Sequence, residues 1–476
     1  MSNGETQLDP AALQGEGTAA HARKGTVTRY EDYIHAPNCR DLDHLPGDYG
    51  PPVIGHTLPY FRDPLPWAQR RYAEFGPVSR IHTGGTRALL CLGPDVMQRI
   101  LLDPGQDFSS KMGFHDRLNR FFGNSFIMED FEHHRFQRRI AQTAFKNESL
   151  RHYNREVNRI YASALDAWAV DSGKVIPFYP YIKNLLLSVA ADIFMGETER
   201  NAEVSRAFVH CAEGTMYLIP WNLPGTALYR GLQGRKFLEQ YVGEQVTRRR
   251  RGDGQDILSH FCREKDEHGQ YFSDQNVTNQ MIFLLFAAHD TTTSAITSTI
   301  YYLARHPAIK EKLYRECAAL DKDCLDHDDL DATPYLQQVF NEVQRIRPSV
   351  PGVPRRTIRE LELAGLRVPA HTMLYLLPRF THWMDEYWTA PATFDPERFS
   401  PERAEHKRHP FQFHPFGGGA HKCIGMHFAQ MEYKCFIYQF MRRYDFAARH
   451  KNNDVFVQTF PLPKPSDDMP IELRRR

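Results

Sequence analysis

The longest coherent pattern in the chain covers residues 273–305 and stops before His306-Pro307. Its centre, Met281-Ile282-Phe283-Leu284-Leu285-Phe286-Ala287-Ala288, is apolar on nearly every helical face. A helix of that kind belongs in the core of a large protein. The residues that follow, His289-Asp290-Thr291-Thr292-Thr293-Ser294, are polar. Polar side chains inside a buried helix are costly unless they are satisfied or put to use. Helical periodicity also predicts elements over 66–74, 132–145, 150–172, 182–195 and 231–251, the first stopped by Gly76-Pro77. Two strand-like runs, 78–82 and 87–92, flank Gly84-Gly85 and predict a hairpin. No repeat and no linker divides the chain. The pattern predicts one large, mainly helical domain with small sheets. Residues 1–28, rich in Gly, Ala, Thr and Gln, are expected to form a disordered tail ahead of a domain over 29–476.

Composition narrows the function. Lys and Arg total 59 and Asp and Glu 58, a formal charge of +1. That balance argues against a general nucleic-acid binder. Among the 476 residues, 41% are hydrophobic and 12% aromatic, enough for a large core. No run of 18 apolar residues predicts a transmembrane anchor, and the polar first 30 residues carry no secretory signal. The eight cysteines include no CxxC pair, so neither a disulfide scaffold nor a zinc finger is expected, and a cytoplasmic, reducing setting fits.

One cysteine stands apart. Residues 416–425 read Phe-Gly-Gly-Gly-Ala-His-Lys-Cys-Ile-Gly, and Cys423 opens an apolar-periodic stretch, 424–440, that reads as a helix. A thiolate there would be stabilised by orphan N–H groups and the positive dipole end. Taken alone, a lone cysteine after a glycine turn is more often a buried structural residue. The spacing of Phe416, Gly419, His421, Cys423 and Gly425, however, resembles the haem-ligand loop of the cytochrome P450 superfamily, the haem-thiolate monooxygenases.

Four further segments resemble that family in its order. Glu342-Val343-Gln344-Arg345 is similar to its Glu-x-x-Arg helix, and Pro396-Glu397-Arg398-Phe399 to the segment whose arginine completes the ion network. Ala287-Ala288-His289-Asp290-Thr291-Thr292 resembles the oxygen-activation stretch, with Ala288 where the family usually has Gly. His134-Arg135-Phe136-Gln137-Arg138 resembles its haem-facing helix, and Arg355 fits a strand position that contacts a propionate.

The resemblance implies a single domain with a long central helix over haem b. It implies Cys423 as iron ligand and His134, Arg138, Arg355 and His421 as propionate partners. Phe416, Gly417, Gly425, Ala287 and Ala288 would line the haem. Asp290 and Thr291 would form an acid–alcohol proton relay on the distal side. The alternative for Thr291 is a back-bond to a carbonyl one turn earlier. His289 reads as a packing residue, because adjacent helical positions point about 100° apart.

The implied reaction inserts one atom of O2 into a C–H bond of a hydrophobic small molecule. The chain has no G-x-G-x-x-G fingerprint and no cysteine cluster, so electrons are expected from a separate ferredoxin and its NAD(P)H-dependent reductase. Lys422, Arg138 and Arg139 would offer that partner positive charge. A monomer is expected. The segment from Ile219 through Pro224 and Gly225 to Leu232 resembles relatives that oxidise retinoids, sterols and other isoprenoids. The arginine run 248–251 reads as a solvated helix end. A peroxide-driven peroxygenase and a non-catalytic haem-binding protein are the alternatives.

Overall fold

The computed structural model describes residues 31–196, 201–217, 221–265, 269–449 and 462–476. The expected tail and residues Ile219 and Pro220 lie outside them. Residues 38–476 form one compact unit; of the segment before it, the structure describes the short helix Glu31–Ile34.

The axis of the unit is the helix Asp274–Arg305. Ser273 caps it, its hydroxyl accepting from Asn276 N–H, and the chain leaves it at His306, before Pro307 opens the next helix. Most of its residues from Val277 to Leu303 are buried, so helices surround it as the sequence predicts. Phe178–Met195 packs along one side, Ala227–Arg249 along another, and Met426–Arg443 behind it. Each fully buried Leu, Ile or Phe adds about 1.5–3 kcal/mol, so the core rests on these faces.

Predicted helix ends move by a few residues. The 132–145 stretch is a helix, Phe131–Ala141, tightening into a 3-10 turn, Gln142–Phe145. The 150–172 stretch begins three residues earlier and likewise ends in a 3-10 turn, Trp168–Asp171. Helices over Pro94–Leu102, Ser110–Phe122, Asn201–Gly214 and Pro307–Ala319 complete a mainly helical fold that periodicity alone did not delimit.

The hairpin forms as expected, Val78–Thr83 against Thr86–Cys91. It is then extended by strands from far along the chain. Met373–Leu376 runs parallel to Thr86–Cys91, with Ala88 opposite Met373. Val353–Thr357 follows antiparallel, and Phe108–Ser109 closes the edge. Arg355 therefore stands on an interior strand. A three-stranded sheet joins Val175–Pro177, Pro470–Arg475 and Tyr444–Ala448.

Two sequence readings change here. The 248–251 run is not a free solvated end: Arg249 pairs with Asp256 and donates to Met195 O, and Arg250 reaches Asp274 and the carbonyls of Cys262 and Phe272. These arginines tie a helix end to three neighbouring segments. Arg138 is half-buried and stands within electrostatic reach of the Cys423 thiol.

Candidate haem site

The loop before Cys423 is built by close approach. Gly419 has φ +61°, and a Cβ there would lie 1.9 Å from Leu101 O. No other residue fits that position. Gly417 N–H donates to His414 O at 2.9 Å, and Cys423 N–H returns to Phe416 O at 2.9 Å. The helix that follows starts at Met426, not at Ile424 as the periodicity suggested, with Gly425 as its cap. The thiol still receives the Gly425 N–H. Phe416 stacks on Phe340 with ring centroids 6.1 Å apart, which braces the start of the loop.

Cys423 has protein on most sides yet an open surface on one, so it lines a recess in the fold. Burial pushes its thiol up, while the Gly425 N–H, Arg138 and Lys422 pull the other way and do not fully offset it. A bound cation would supply the missing stabilisation of the thiolate.

Around that recess four nitrogen-bearing side chains converge. His134 and His421 stack with centroids 3.8 Å apart. Burial, then Arg138 and Arg355, hold His134 down at about 4. Burial, then His134, Arg355 and Arg138, hold His421 well below its ordinary range. His134 Nε2 is buried without a hydrogen-bond partner. The Arg138 side chain makes no hydrogen bond or ion pair among the described residues, and its guanidinium feels the Cys423 thiol. Buried Arg355 donates to Pro354 O at 2.8 Å and feels Asp130 and Asp103. One buried and one half-buried guanidinium and two neutral imidazoles, with an orphaned ring nitrogen among them, are a donor set that two carboxylates would satisfy. The residues present therefore fit haem, which brings two propionates and an iron open to a thiolate.

On the central helix, Thr291 Oγ1 donates to Ala287 O at 2.8 Å. The back-bond weighed for Thr291 is thus present, and Thr292 and Thr293 repeat it to Ala288 O and His289 O. The helix stays continuous at Ala288. With its hydrogen committed, the Thr291 oxygen keeps lone pairs to accept. Ser349 Oγ donates to Thr291 O at 2.9 Å and fixes this turn against the segment before the Arg355 strand.

Burial acts to raise the Asp290 carboxyl, but His289, Lys183 and Lys464 outweigh it and hold the group below its ordinary range. Lys183 Nζ is 3.9 Å from Asp290 Oδ1, and His289 Nδ1 is 2.9 Å from the same oxygen. The expectation that His289 points away from Asp290 fails, because side-chain torsions let neighbouring residues meet over the turn.

Behind the recess lies a fully buried ion network. Arg345 grips Glu342 with two bonds, at 2.7 and 2.9 Å. Arg398 Nε reaches Glu342 at 3.2 Å and its NH1 reaches Glu405 at 3.1 Å. The sequence pointed to Glu342, Arg345 and Arg398. It missed Glu405, whose acid closes the charge balance but which sits in no recognisable spacing.

Glu432, nine residues beyond Cys423, was also missed. Burial raises its carboxyl to about 8, despite contacts with the Thr292 and Tyr161 hydroxyls. The folded protein thus holds a proton that the unfolded chain releases near 4.5, and stability falls as pH rises from about 5 to about 8. Glu432→Gln is expected to flatten that fall, gaining more over wild type at pH 8 than at pH 5 in thermal melts. An equal difference at both pH values would refute it.

A family model described as cytochrome P450 matches residues 45–469. The chain is 36% identical over 468 residues to a putative cytochrome P450 136 of Mycobacterium tuberculosis, covering 97% of this chain and 95% of that one. It is 29% identical over 392 residues to the cyclooctat-9-en-7-ol 5-monooxygenase of Streptomyces melanosporofaciens, covering 79% and 83%. Its fold matches the retinoic acid bound cyanobacterial CYP120A1 with a TM-score of 0.82 at 27% identity, covering 91% and 99% of the two chains. With the glycine-pinned thiol loop and the buried ion network in place, these matches make the chain a member of the cytochrome P450 family.

Proposed function

We propose that this P450 monooxygenase hydroxylates an apolar isoprenoid, a terpenoid or retinoid, with electrons from a separate ferredoxin and reductase. Members of the family bind haem b through a cysteine thiolate. The observation that carries the site assignment is the set His134, Arg138, Arg355 and His421, buried or half-buried, converging beside Cys423. In this reading Cys423 would supply the thiolate that holds the iron, and those four would hold the propionates. Phe416, Gly417 and Gly425 frame the thiolate side, and Ala287 and Ala288 the opposite face. Bound there, haem b activates O2 so that one oxygen atom enters the substrate and the other leaves as water.

The chain's own residues supply position and protons. Asp290, ionised and anchored at Oδ1, passes protons toward Thr291, whose oxygen is oriented to accept. The apolar surface of the central helix around Phe283 and Phe286, joined by Phe122 at 5.8 and 4.5 Å, excludes bulk water from the reacting face. The ferredoxin reading now rests on Lys422 and Arg139, because Arg138 is half-buried. Among the described residues no helix is long and apolar enough to cross a membrane.

The substrate class is supported by the relatives, one a terpenoid-alcohol monooxygenase and one bound to retinoic acid. Titrating the ferric holoenzyme with retinoic acid, a diterpene alcohol and a fatty acid is expected to give spin-state shifts with the first two. A shift with the fatty acid alone would overturn the isoprenoid reading.

A further inference from the structure

His289 was expected to pack and nothing more. It is 2% exposed, and both of its ring nitrogens meet oxygens. Nε2 lies 3.0 Å from Lys183 O, and Nδ1 lies 2.9 Å from Asp290 Oδ1. A carbonyl oxygen only accepts, so Nε2 carries a hydrogen. In the neutral ring Nδ1 would then be a bare lone pair facing a carboxylate, a repulsive contact. The contact is attractive only when one more proton lies on Nδ1 or on the carboxyl. The Asp290 carboxyl is held below its ordinary range, which leaves that proton to the ring side of the contact.

Lys183 closes the arrangement. Its carbonyl takes the His289 Nε2 hydrogen, and its ammonium stands 3.9 Å from Asp290 Oδ1. One residue of the helix Phe178–Met195 thus grips the pair at both ends. The other charged or titratable groups facing Asp290 are Lys464, from the C-terminal segment, and Tyr179, at the start of the same helix. From the helix Asn201–Gly214, Phe208 meets the His289 ring edge-on at 5.9 Å. Beside them Ala190, Ser205 and Leu285 border a space of about 20 Å³, room for about one water.

We infer that His289 is the positioning residue of the proton relay: it pins Asp290 Oδ1 to the Phe178–Met195 helix and holds a proton on Nδ1, leaving Asp290 Oδ2 to serve Thr291. This rests on the relay reading of Asp290 and Thr291. The held proton keeps the carboxylate in one orientation.

The test uses the haem-loaded protein with its reductase system and three variants: His289→Phe, which keeps a ring against Phe208, His289→Gln, and Asp290→Asn. Coupling of NAD(P)H use to product is expected to fall roughly tenfold in both His289 variants, a part of the roughly 10²–10⁴ that a positioned proton transfer supplies. A second readout does not use turnover. In the diamagnetic ferrous carbon monoxide form labelled with 15N-histidine, the signal lost in His289→Phe should be that of a doubly protonated ring. In Asp290→Asn it should revert to a ring protonated on Nε2 alone. If Asp290→Asn uncouples while both His289 variants keep wild-type coupling, the positioning role is refuted and the relay stands. If Asp290→Asn itself stays fully coupled, the relay reading fails. A wild-type ring protonated only on Nε2 at neutral pH would also refute the proposal. Should the phenylalanine variant not load haem, the glutamine variant and the wild-type spectrum, assigned with it, decide.

Discussion

Cys423→Ser is expected to keep the fold and lose the enzyme. The exchange replaces one atom in a loop whose shape is set by backbone bonds, Gly417 to His414 and Cys423 to Phe416, and by the glycine at 419, none of which uses the sulfur. The chemistry does use it. Burial already pushes the thiol up, and only the Gly425 N–H, Arg138 and Lys422 oppose that. A cationic iron can tip a thiol into its anion there; a serine hydroxyl is a far weaker acid and stays neutral. Without a thiolate to push electron density toward the iron, O–O cleavage loses its driving force. The reduced carbon monoxide complex should therefore lose the long-wavelength Soret band of thiolate-ligated haem, and hydroxylation should drop to background. Near-wild-type turnover, or an unchanged band, would remove Cys423 from its role.

Arg345→Leu is expected to be the most damaging change away from the recess. Arg345, Glu342 and Arg398 are all fully buried, and Glu405 nearly so. Taking one guanidinium away leaves the Glu342 carboxylate with the Asp395 N–H and with Arg398, which it shares with Glu405. Breaking a buried pair from one side costs about 3–5 kcal/mol. A whole domain has only about 5–15 kcal/mol to lose. The carbonyls of His382 and Pro391 lose their donor as well. Denaturant melts should show that loss, and haem retention should fall with it. The double variant Glu342→Leu/Arg345→Leu removes a neutral pair and leaves Arg398 with Glu405, so it should be less destabilised than the single change. A single variant within about 1 kcal/mol of wild type would show that the network is not a brace, since surface changes rarely exceed half that.

Both results would come from residues visible in the sequence, yet they were visible for different reasons. Cys423 could be read because its chemistry needs fixed neighbours at fixed spacing along one loop. Glu342 and Arg345 share a helix face three positions apart, so their pairing is local. Glu405 could not be read, because nothing in its spacing along the chain marks it as the acid that Arg398 meets once both are buried. His289 was misread for a related reason. Helical geometry fixes the direction of each Cα–Cβ bond, but its partners Lys183 and Phe208 come from two other helices and decide where the ring goes.

What the sequence determined by itself was whatever is set over one element or one turn: the long apolar helix and its caps, the hairpin at Gly84-Gly85, the glycine loop and its cysteine. Those depend on periodicity of 3.6 or 2 and on backbone freedom, which neighbours along the chain dictate. The tertiary structure alone decided which distant strands extend the hairpin, that Arg138 comes within electrostatic reach of the Cys423 thiol, that Arg249 and Arg250 bind neighbouring segments, and that Glu432 keeps its proton to about 8. Each is a matter of burial and of charges brought together from distant segments, and desolvation exists only once the chain has closed around the group.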